Sequence, residues 1–412
     1  INISESEKFY VQQINITGNN LTLEEVIRNT LIVDEGDPYN EILFNKSINN
    51  LKAKNIFASV NSEIKDGSDK SLKVIDISVE EKATGEISLG AGIGTGGGTF
   101  GGGIKENNFL GKGIMLDTNI TIGKDSLKGA FVYSKPNFNY TDNTLFTSIT
   151  STSTNALKSY GYKTSEVGFS IGTGFEQYEN LTFRPEISTS FETLTTDNSA
   201  SDKMKKQAGN YTDVYFNYSL DYDLRNQKYK TSDGYRTVFY QELPLLGTED
   251  GNELVNQFEV TKYQSLPSSM IAKISFYGKA VNSVSSKDVR QSKRLYLPGG
   301  KLRGFQVGKV GPFENKNFVG GNYVSAVNLS STLPQILPSL ETTDFSIFID
   351  AGNVWGVDYN STMNSGKIRS SVGIGVDLST PIGPLSFSLS QPLTKKTTDK
   401  TETFRFNLGT TF

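Results

Sequence analysis

From Gly85 onward, apolar and polar residues alternate one by one in short stretches broken by polar turns. In IMLDTNITI (114–122), Ile114, Leu116, Ile120 and Ile122 share one face, opposite Asp117, Asn119 and Thr121. In 370–378, Val372, Ile374, Val376 and Leu378 oppose Ser371, Gly373, Gly375 and Asp377. In FRFNLGTTF (404–412), Phe404, Phe406, Leu408 and Phe412 oppose Arg405, Asn407, Gly409 and Thr411. A period of two marks strands whose faces meet different surroundings. Sixteen such segments begin near 86, 98, 112, 126, 143, 160, 180, 210, 234, 252, 270, 321, 343, 367, 384 and 402. Their spacing accommodates tilted membrane strands of roughly 9–11 residues, joined by short turns and longer loops in alternation. An even strand count suits a barrel of the bacterial outer-membrane kind. The competing reading is a soluble β-sandwich, but a dry interior would not tolerate Asp117, Asp350 and Asp377 on inward faces. The expected fold is a transmembrane β-barrel of sixteen antiparallel strands over 84–412.

Residues 1–83 carry a different pattern. FYVQQINITG (9–18) reads as a strand running into a Gly-Asn-Asn turn. Thr22 and Glu25 have capping-box spacing for a helix over about 23–31. A second helix is predicted from about 40 to 54, with Phe44, Ile48 and Leu51 on one face. Strands near 56–65 and 71–81 follow, separated by Asp66-Gly67. The order β-α-α-β-β describes a small α/β domain, one sheet covered by two helices.

Composition then narrows the chemistry. Hydrophobic residues make up 36% of the 412, yet there are 40 glycines, 19 tyrosines and 25 phenylalanines, as suits a barrel in which only alternate residues meet lipid. No apolar run is long enough for a membrane-spanning helix. There is no cysteine and no histidine, which removes disulfides, thiolate sites, imidazole bases and His-ligated metals. An enzyme, a metal centre and a cofactor are therefore not expected. A net charge of −3 lacks the basic footprint of a nucleic-acid partner. The chain opens at Ile1 without an initiator Met, so it is read as a fragment or processed product, which leaves an exported precursor open.

The stretch GAGIGTGGGTFGGG (90–103) contains Gly92, Gly94 and Gly97 in the spacing of a dinucleotide-binding turn. That reading needs a helix opening at the third glycine, and TFGGGIKENNF cannot supply one. Glycine fits better as the stripped inner face of the first membrane strand, where Ile87, Leu89, Ala91 and Ile93 face the other way. Glycine weakens a strand and marks a bend or a close approach. Two such strands, where the barrel must close on its last strand, suggest a weakly paired seam. Room for an inserted loop is the alternative, and the two are compatible.

One connection, at 284–319, is long and contains Pro298-Gly299-Gly300 followed by Arg303-Gly304-Phe305. Loops of this length are usually functional. The tripeptide resembles the Arg-Gly-Phe/Tyr signature of the inward loop in the outer-membrane protein assembly factors of the BamA type and their POTRA-plus-barrel superfamily. INNLKAKNIFASV (48–60), YDLRNQKYKTSDGYR (222–236), GGN (320–322), FIDAGNVW (348–355), STPIGPLSFSLSQPL (379–393) and the terminal FRFNLGTTF are similar to family blocks in the same order. The resemblance implies that 1–83 is the last of several periplasmic POTRA domains and that 84–412 is the barrel, with 284–319 folded into it. It also implies that the loop arginine docks on acidic residues inside the barrel. Here that pairs Arg303 with Asp350, while the position of a second family acid holds Ser330.

The candidate loop–lumen clamp is thus Arg303, Gly304, Phe305 and Asp350. The candidate seam comprises Gly90, Gly92 and Gly94 of the first strand with Phe404, Phe406 and Phe412 of the last. The implied function is folding and inserting β-barrel proteins into the outer membrane. Expected partners are unfolded client proteins, accessory lipoproteins and the bilayer. Parted edges near 86–95 and 404–412 would template a client strand, so a cross-link between positions 92 and 407 is expected to hold this lateral gate shut. The POTRA edge at 56–65 would receive clients in the same way. The alternative function is a polypeptide-secretion pore of the two-partner type.

Overall fold

The computed structural model describes residues 8–95, 97–157, 161–198, 200–228, 231–247, 252–314, 317–334, 343–363, 366–380 and 383–408. Two compact units emerge. The first takes in the chain through Ser88 with Gly103–Thr118 and Phe131–Thr147; the second holds the remainder.

In the first unit the elements run β1 (Tyr10–Thr17), α1 (Glu24–Arg28), α2 (Glu41–Ala53), β2 (Phe57–Asp66) and β3 (Leu72–Glu81). The sheet order is β1-β3-β2, with β1 parallel and β2 antiparallel to β3. The β-α-α-β-β order follows the sequence pattern. Phe44, Ile48 and Leu51 are buried with Ile14, Ile27, Ile75 and Ile77 in one core. Asn40 caps α2, its side chain accepting from the N–H groups of Ile42 and Leu43.

The expected capping box does not form. Helix α1 spans only Glu24–Arg28, and its N-cap is Leu23, with no side-chain cap. Tertiary partners take over instead. Thr22 accepts at its hydroxyl from Asn108 Nδ2 (2.9 Å), and the Leu23 N–H donates to Gly111 O (2.9 Å). The Glu81 carboxylate accepts from the N–H groups of Asn20, Leu21 and Thr22. Burial opposes its charge, but these hydrogen bonds prevail and hold the carboxyl below the usual glutamate range.

The barrel strands are β4 (Gly85–Gly94), β5 (Gly97–Phe109), β6 (Ile114–Gly123), β7 (Ser126–Lys135), β8 (Thr144–Ala156) and β9 (Tyr162–Tyr178). They continue as β10 (Leu181–Thr196), β11 (Gly209–Asp223), β12 (Gly234–Gly247), β13 (Glu253–Ser265) and β14 (Ile271–Ser283). A two-strand ribbon, β15 (Phe313–Glu314) and β16 (Asn317–Phe318), lies inside the long connection. The wall then resumes with β17 (Tyr323–Thr332), β18 (Thr343–Trp355), β19 (Arg369–Thr380), β20 (Gly383–Thr394) and β21 (Phe404–Leu408). Sixteen antiparallel strands close in sequence order, with β21 meeting β4. Each begins within about two residues of where alternation placed it. Among the described residues no helix is long and apolar enough to cross a membrane.

Strand β18 shows how alternation becomes architecture. Ile347 and Ile349 are 48% and 49% exposed on the outer face, whereas the intervening Phe348 and Asp350 are buried. What covers the inner face is the connection between β14 and β17. It folds inward as an apolar knot of Leu297, Leu302, Phe305 and Val310 against Tyr277, Val324, Ala326 and Val354.

Candidate functional site

Arg303 and Asp350, 47 residues apart, meet inside the second unit. Arg303 Nε lies 2.7 Å from Asp350 Oδ2 and Nη2 lies 2.8 Å from Oδ1, a bidentate fork. The Arg303 backbone N–H donates to Oδ2 (3.0 Å), and Asn328 Nδ2 donates to Oδ1 (2.8 Å). A carboxylate offers about four lone-pair sites, and four donors occupy them. The guanidinium carbon also sits 3.3 Å from the centre of the Phe348 ring. Asp350 is fully buried, so its charge is tolerated only because it is so completely partnered.

Gly304 is required beside this pair. Its φ is 87°, and a Cβ there would come within 3.1 Å of Ser371 Cβ and 3.3 Å of Ser390 Cβ. Phe305 is buried in the apolar knot. Ser330, at the position of the second family acid, faces a cavity of 270 Å³ lined also by Lys273, Ser275, Gly300, Lys301, Arg303 and Asn328. Among the described residues no carboxylate lines that cavity beside Asp350. Asn328, two residues earlier on the same inward face, bonds to it instead.

The loop is also bound to the segment that leads into the last strand, and to Arg405 on that strand. Phe305 forms a β-bridge with Thr401. The Gln306 N–H donates to Lys400 O (3.0 Å), the Lys400 N–H to Lys309 O (3.1 Å) and the Glu402 N–H to Gly304 O (3.0 Å). Arg405 on β21 donates to the carbonyls of Gly299 and Phe305 and to the Glu402 carboxylate. The loop tip and the start of β21 thus form one hydrogen-bonded body.

The junction of β21 with β4 closes the wall, and its last-strand residues 409–412 lie outside the described residues. Strands β17–β18 and β18–β19 each make ladders of ten residue pairs, and β10–β11 one of fourteen. Among the described residues β21 and β4 share two, Asn407 with Gly94 and Leu408 with Ile93. The adjoining Thr95 N–H reaches Phe406 O at 3.4 Å. The register pairs Asn407 with Gly94, so the 92–407 cross-link expected from sequence is displaced by two residues. In that register the positions across from Gly90 and Gly92 are 411 and 409, outside the described residues. Phe404 and Phe406 stack on each other (6.1 Å), and Phe404 stacks on Phe387 (6.3 Å). Phe412 lies outside the described residues. Gly97 has φ 116° and opens strand β5, so no helix follows the glycine spacing.

On the inner side of this junction is a cavity of 720 Å³. It touches Thr95 and Asn407 of the junction, Arg303 and Gln306 of the loop, and Arg405 and Asp377.

Three further buried arginines were not singled out by sequence. Arg290 lies 2.6 Å from Asp213, 3.4 Å from Glu192 and 3.7 Å from Glu253, with its guanidinium 4.2 Å over Tyr211. Arg369 makes a fork with Asp399 (2.9 and 3.1 Å), both fully or nearly fully buried. Arg294 lies 3.7 Å from Asp358. A usable signal existed for the first. Tyr211, Asp213, Tyr215 and Asn217 are a buried period-two set, and an inward aspartate needs a cation.

The family described as the Omp85 superfamily domain matches residues 108–412, and a POTRA family, the surface antigen variable number repeat, matches 9–82. The outer membrane protein assembly factor BamA of Neisseria meningitidis serogroup B is 25% identical over 475 residues, covering 100% of this chain and 58% of that protein. The factor of the same name in Neorickettsia risticii is 24% identical, covering 100% and 56%. The chain thus spans a little over half the length of these relatives. The crystal structure of BamA from Haemophilus ducreyi lacking POTRA domains 1–3 superimposes with a TM-score of 0.81 at 24% identity, covering 98% of this chain and 85% of that one. CdiB from Acinetobacter baumannii has a TM-score of 0.63 at 14% identity, covering 98% and 74%.

Proposed function

Because the chain belongs to the Omp85 superfamily, with a POTRA-like domain ahead of a sixteen-stranded barrel of the outer membrane, we propose that it assembles other β-barrels into that membrane. In this reading residues 1–83 are the periplasmic POTRA-like domain and 84–412 the barrel, with 284–319 as its inward loop. No covalent chemistry is invoked. Clients would be unfolded outer-membrane proteins, and accessory lipoproteins would be the other subunits.

The observation that carries the proposal is the meeting of the first and last strands at Asn407 and Gly94 beside the 720 Å³ inner cavity, on a β4 whose inward positions are Gly90, Gly92 and Gly94. Backbone N–H and C=O groups left unpaired in hydrocarbon cost several kcal/mol each, so a parted junction is a strong template for an incoming strand. Arg303 and Asp350 act as the clamp that fixes the loop, with Gly304 allowing the approach and Phe305 anchoring it. Arg405 then ties β21 to that fixed point, so the strand can part from β4 without leaving the loop. At the POTRA-like domain, β2 is an edge strand of its sheet and would accept client segments by the same pairing.

Cysteines at Gly94 and Asn407 test the proposal. Oxidation should abolish insertion of client barrels and reduction should restore it; full activity in the oxidised state would reject an opening seam. The fold likeness to CdiB favours a second reading, a secretion pore of the two-partner type. Depleting the protein separates the two. Loss of client barrels from the outer membrane supports assembly, whereas intact barrels with one retained exoprotein support secretion.

A further inference from the structure

A cationic hollow in the first compact unit takes no part in the seam or the clamp. It encloses about 200 Å³ and is lined by Lys54, Lys112 and Lys135, with Glu25 as its one carboxylate and Phe138 and Tyr140 as its aromatic wall. The lysines come from separate elements. Lys54 closes α2, Lys112 belongs to the turn between β5 and β6, and Lys135 ends β7. None of the three forms an ion pair among the described residues. Lys54 is the most enclosed, and burial without a counter-ion pulls its ammonium below the usual lysine range. An anion entering the hollow would relieve that cost.

The aromatic wall is held in place. Asn137 Nδ2 donates to Asn29 O at the end of α1 (2.9 Å). Asn137, Asn139 and Tyr140 have φ of 51°, 55° and 57°. Left-handed backbone at a tyrosine persists only where the surroundings over-determine it. The outcome is a Tyr140 side chain 79% exposed.

The position of the hollow selects the anion. On β7, Leu127 and Phe131 are exposed on the outer face, and Lys135 follows in the same period-two register at the strand's end. An outward cation just past an apolar band, beside exposed Tyr and Phe, is the arrangement of a membrane–water interface. Basic groups at that depth attract anionic headgroups. The turns at 110–113 and 136–143 lie at the same end of the barrel strands as the entry from the POTRA-like domain, which is the periplasmic end.

We propose that Lys54, Lys112 and Lys135 bind the phosphate of an anionic phospholipid of the periplasmic leaflet, with Phe138 and Tyr140 against its glycerol and upper acyl region. One headgroup would then join the end of α2 to two barrel turns.

Native mass spectrometry of the detergent-solubilised full chain tests this with phosphatidylglycerol and phosphatidylcholine as probes. The Lys54→Gln/Lys112→Gln/Lys135→Gln variant should retain phosphatidylglycerol about tenfold more weakly than the wild type. Both proteins should hold phosphatidylcholine equally. The triple Lys→Arg variant should restore binding, and heat-modifiable gel migration checks that each variant is folded. Equal phosphatidylglycerol retention by wild type and the Gln variant overturns the site. Displacement of the lipid by millimolar inorganic phosphate, or by an acidic peptide at equal concentration, overturns its assignment to lipid.

Discussion

The clamp wall and the seam are built from the same kind of strand, yet they differ in how fully each residue is used. On β18, outward Ile347 and Ile349 are 48% and 49% exposed, each flanked by paired strands. On β4, outward Ile87 and Leu89 are 79% and 76% exposed. An aliphatic side chain on a sheet is shielded mainly by neighbours on adjoining strands, and β5, which adjoins β4, carries Gly101, Gly102 and Gly103. Inside, Asp350 has every lone pair filled, whereas the inner face of β4 carries Gly90, Gly92 and Gly94. Hydrogen bonding is dense at the loop anchor, and side chains are sparse on the inner face of β4. Arg405 connects the two, because it stands on the seam strand and bonds to the clamped loop.

The comparison can be broken at the clamp first. Asp350→Asn leaves the Arg303 guanidinium without its charge partner, and removing one member of a buried pair costs about 3–5 kcal/mol. The loop at 284–319 should become protease-sensitive in intact membranes while the wall strands stay protected; an unchanged digestion pattern would refute the clamp. Arg405→Met removes two carbonyl contacts and an ion pair, a loss of about 1–3 kcal/mol. It should raise amide exchange at 400–408 and leave β18 unchanged. Gly304→Ala forces a side chain into left-handed backbone, costing about 1–2 kcal/mol, and should lower the unfolding temperature of the barrel without altering its strand content. The smallest effect is expected from Ser330→Glu. It adds a carboxylate beside Lys273, Lys301 and Arg303, stabilising loop docking by about 1 kcal/mol or less.

Much of this architecture was legible because it depends on local alternation. A period of two survives every tertiary detail, so the strand starts and the inward aspartates could be read directly. The Arg303–Asp350 meeting was legible only through family resemblance, since nothing local brings residue 303 to residue 350. The capping box at Thr22 failed for the converse reason. Its spacing is a local signal, and Glu81, Asn108 and Gly111 supplied stronger partners from far along the chain. Arg290, Arg294 and Arg369 were missed because an arginine in a loop or at a strand end has no periodicity, and for Arg405 alternation gave the face but not the partners. The role of such an arginine is set by which carboxylate or carbonyl the folded loop happens to face. The register at the seam shows the same limit, because alternation fixes which face Asn407 occupies but not that Gly94, rather than Gly92, lies across from it.

Hydrogen exchange of the chain in lipid nanodiscs, read strand by strand, tests the proposed weak junction most directly. Amides of residues 86–94 and 404–408 should exchange at least about tenfold faster than those of 346–354, an opening free-energy difference of about 1.4 kcal/mol or more. Equal protection of the two regions would contradict the account.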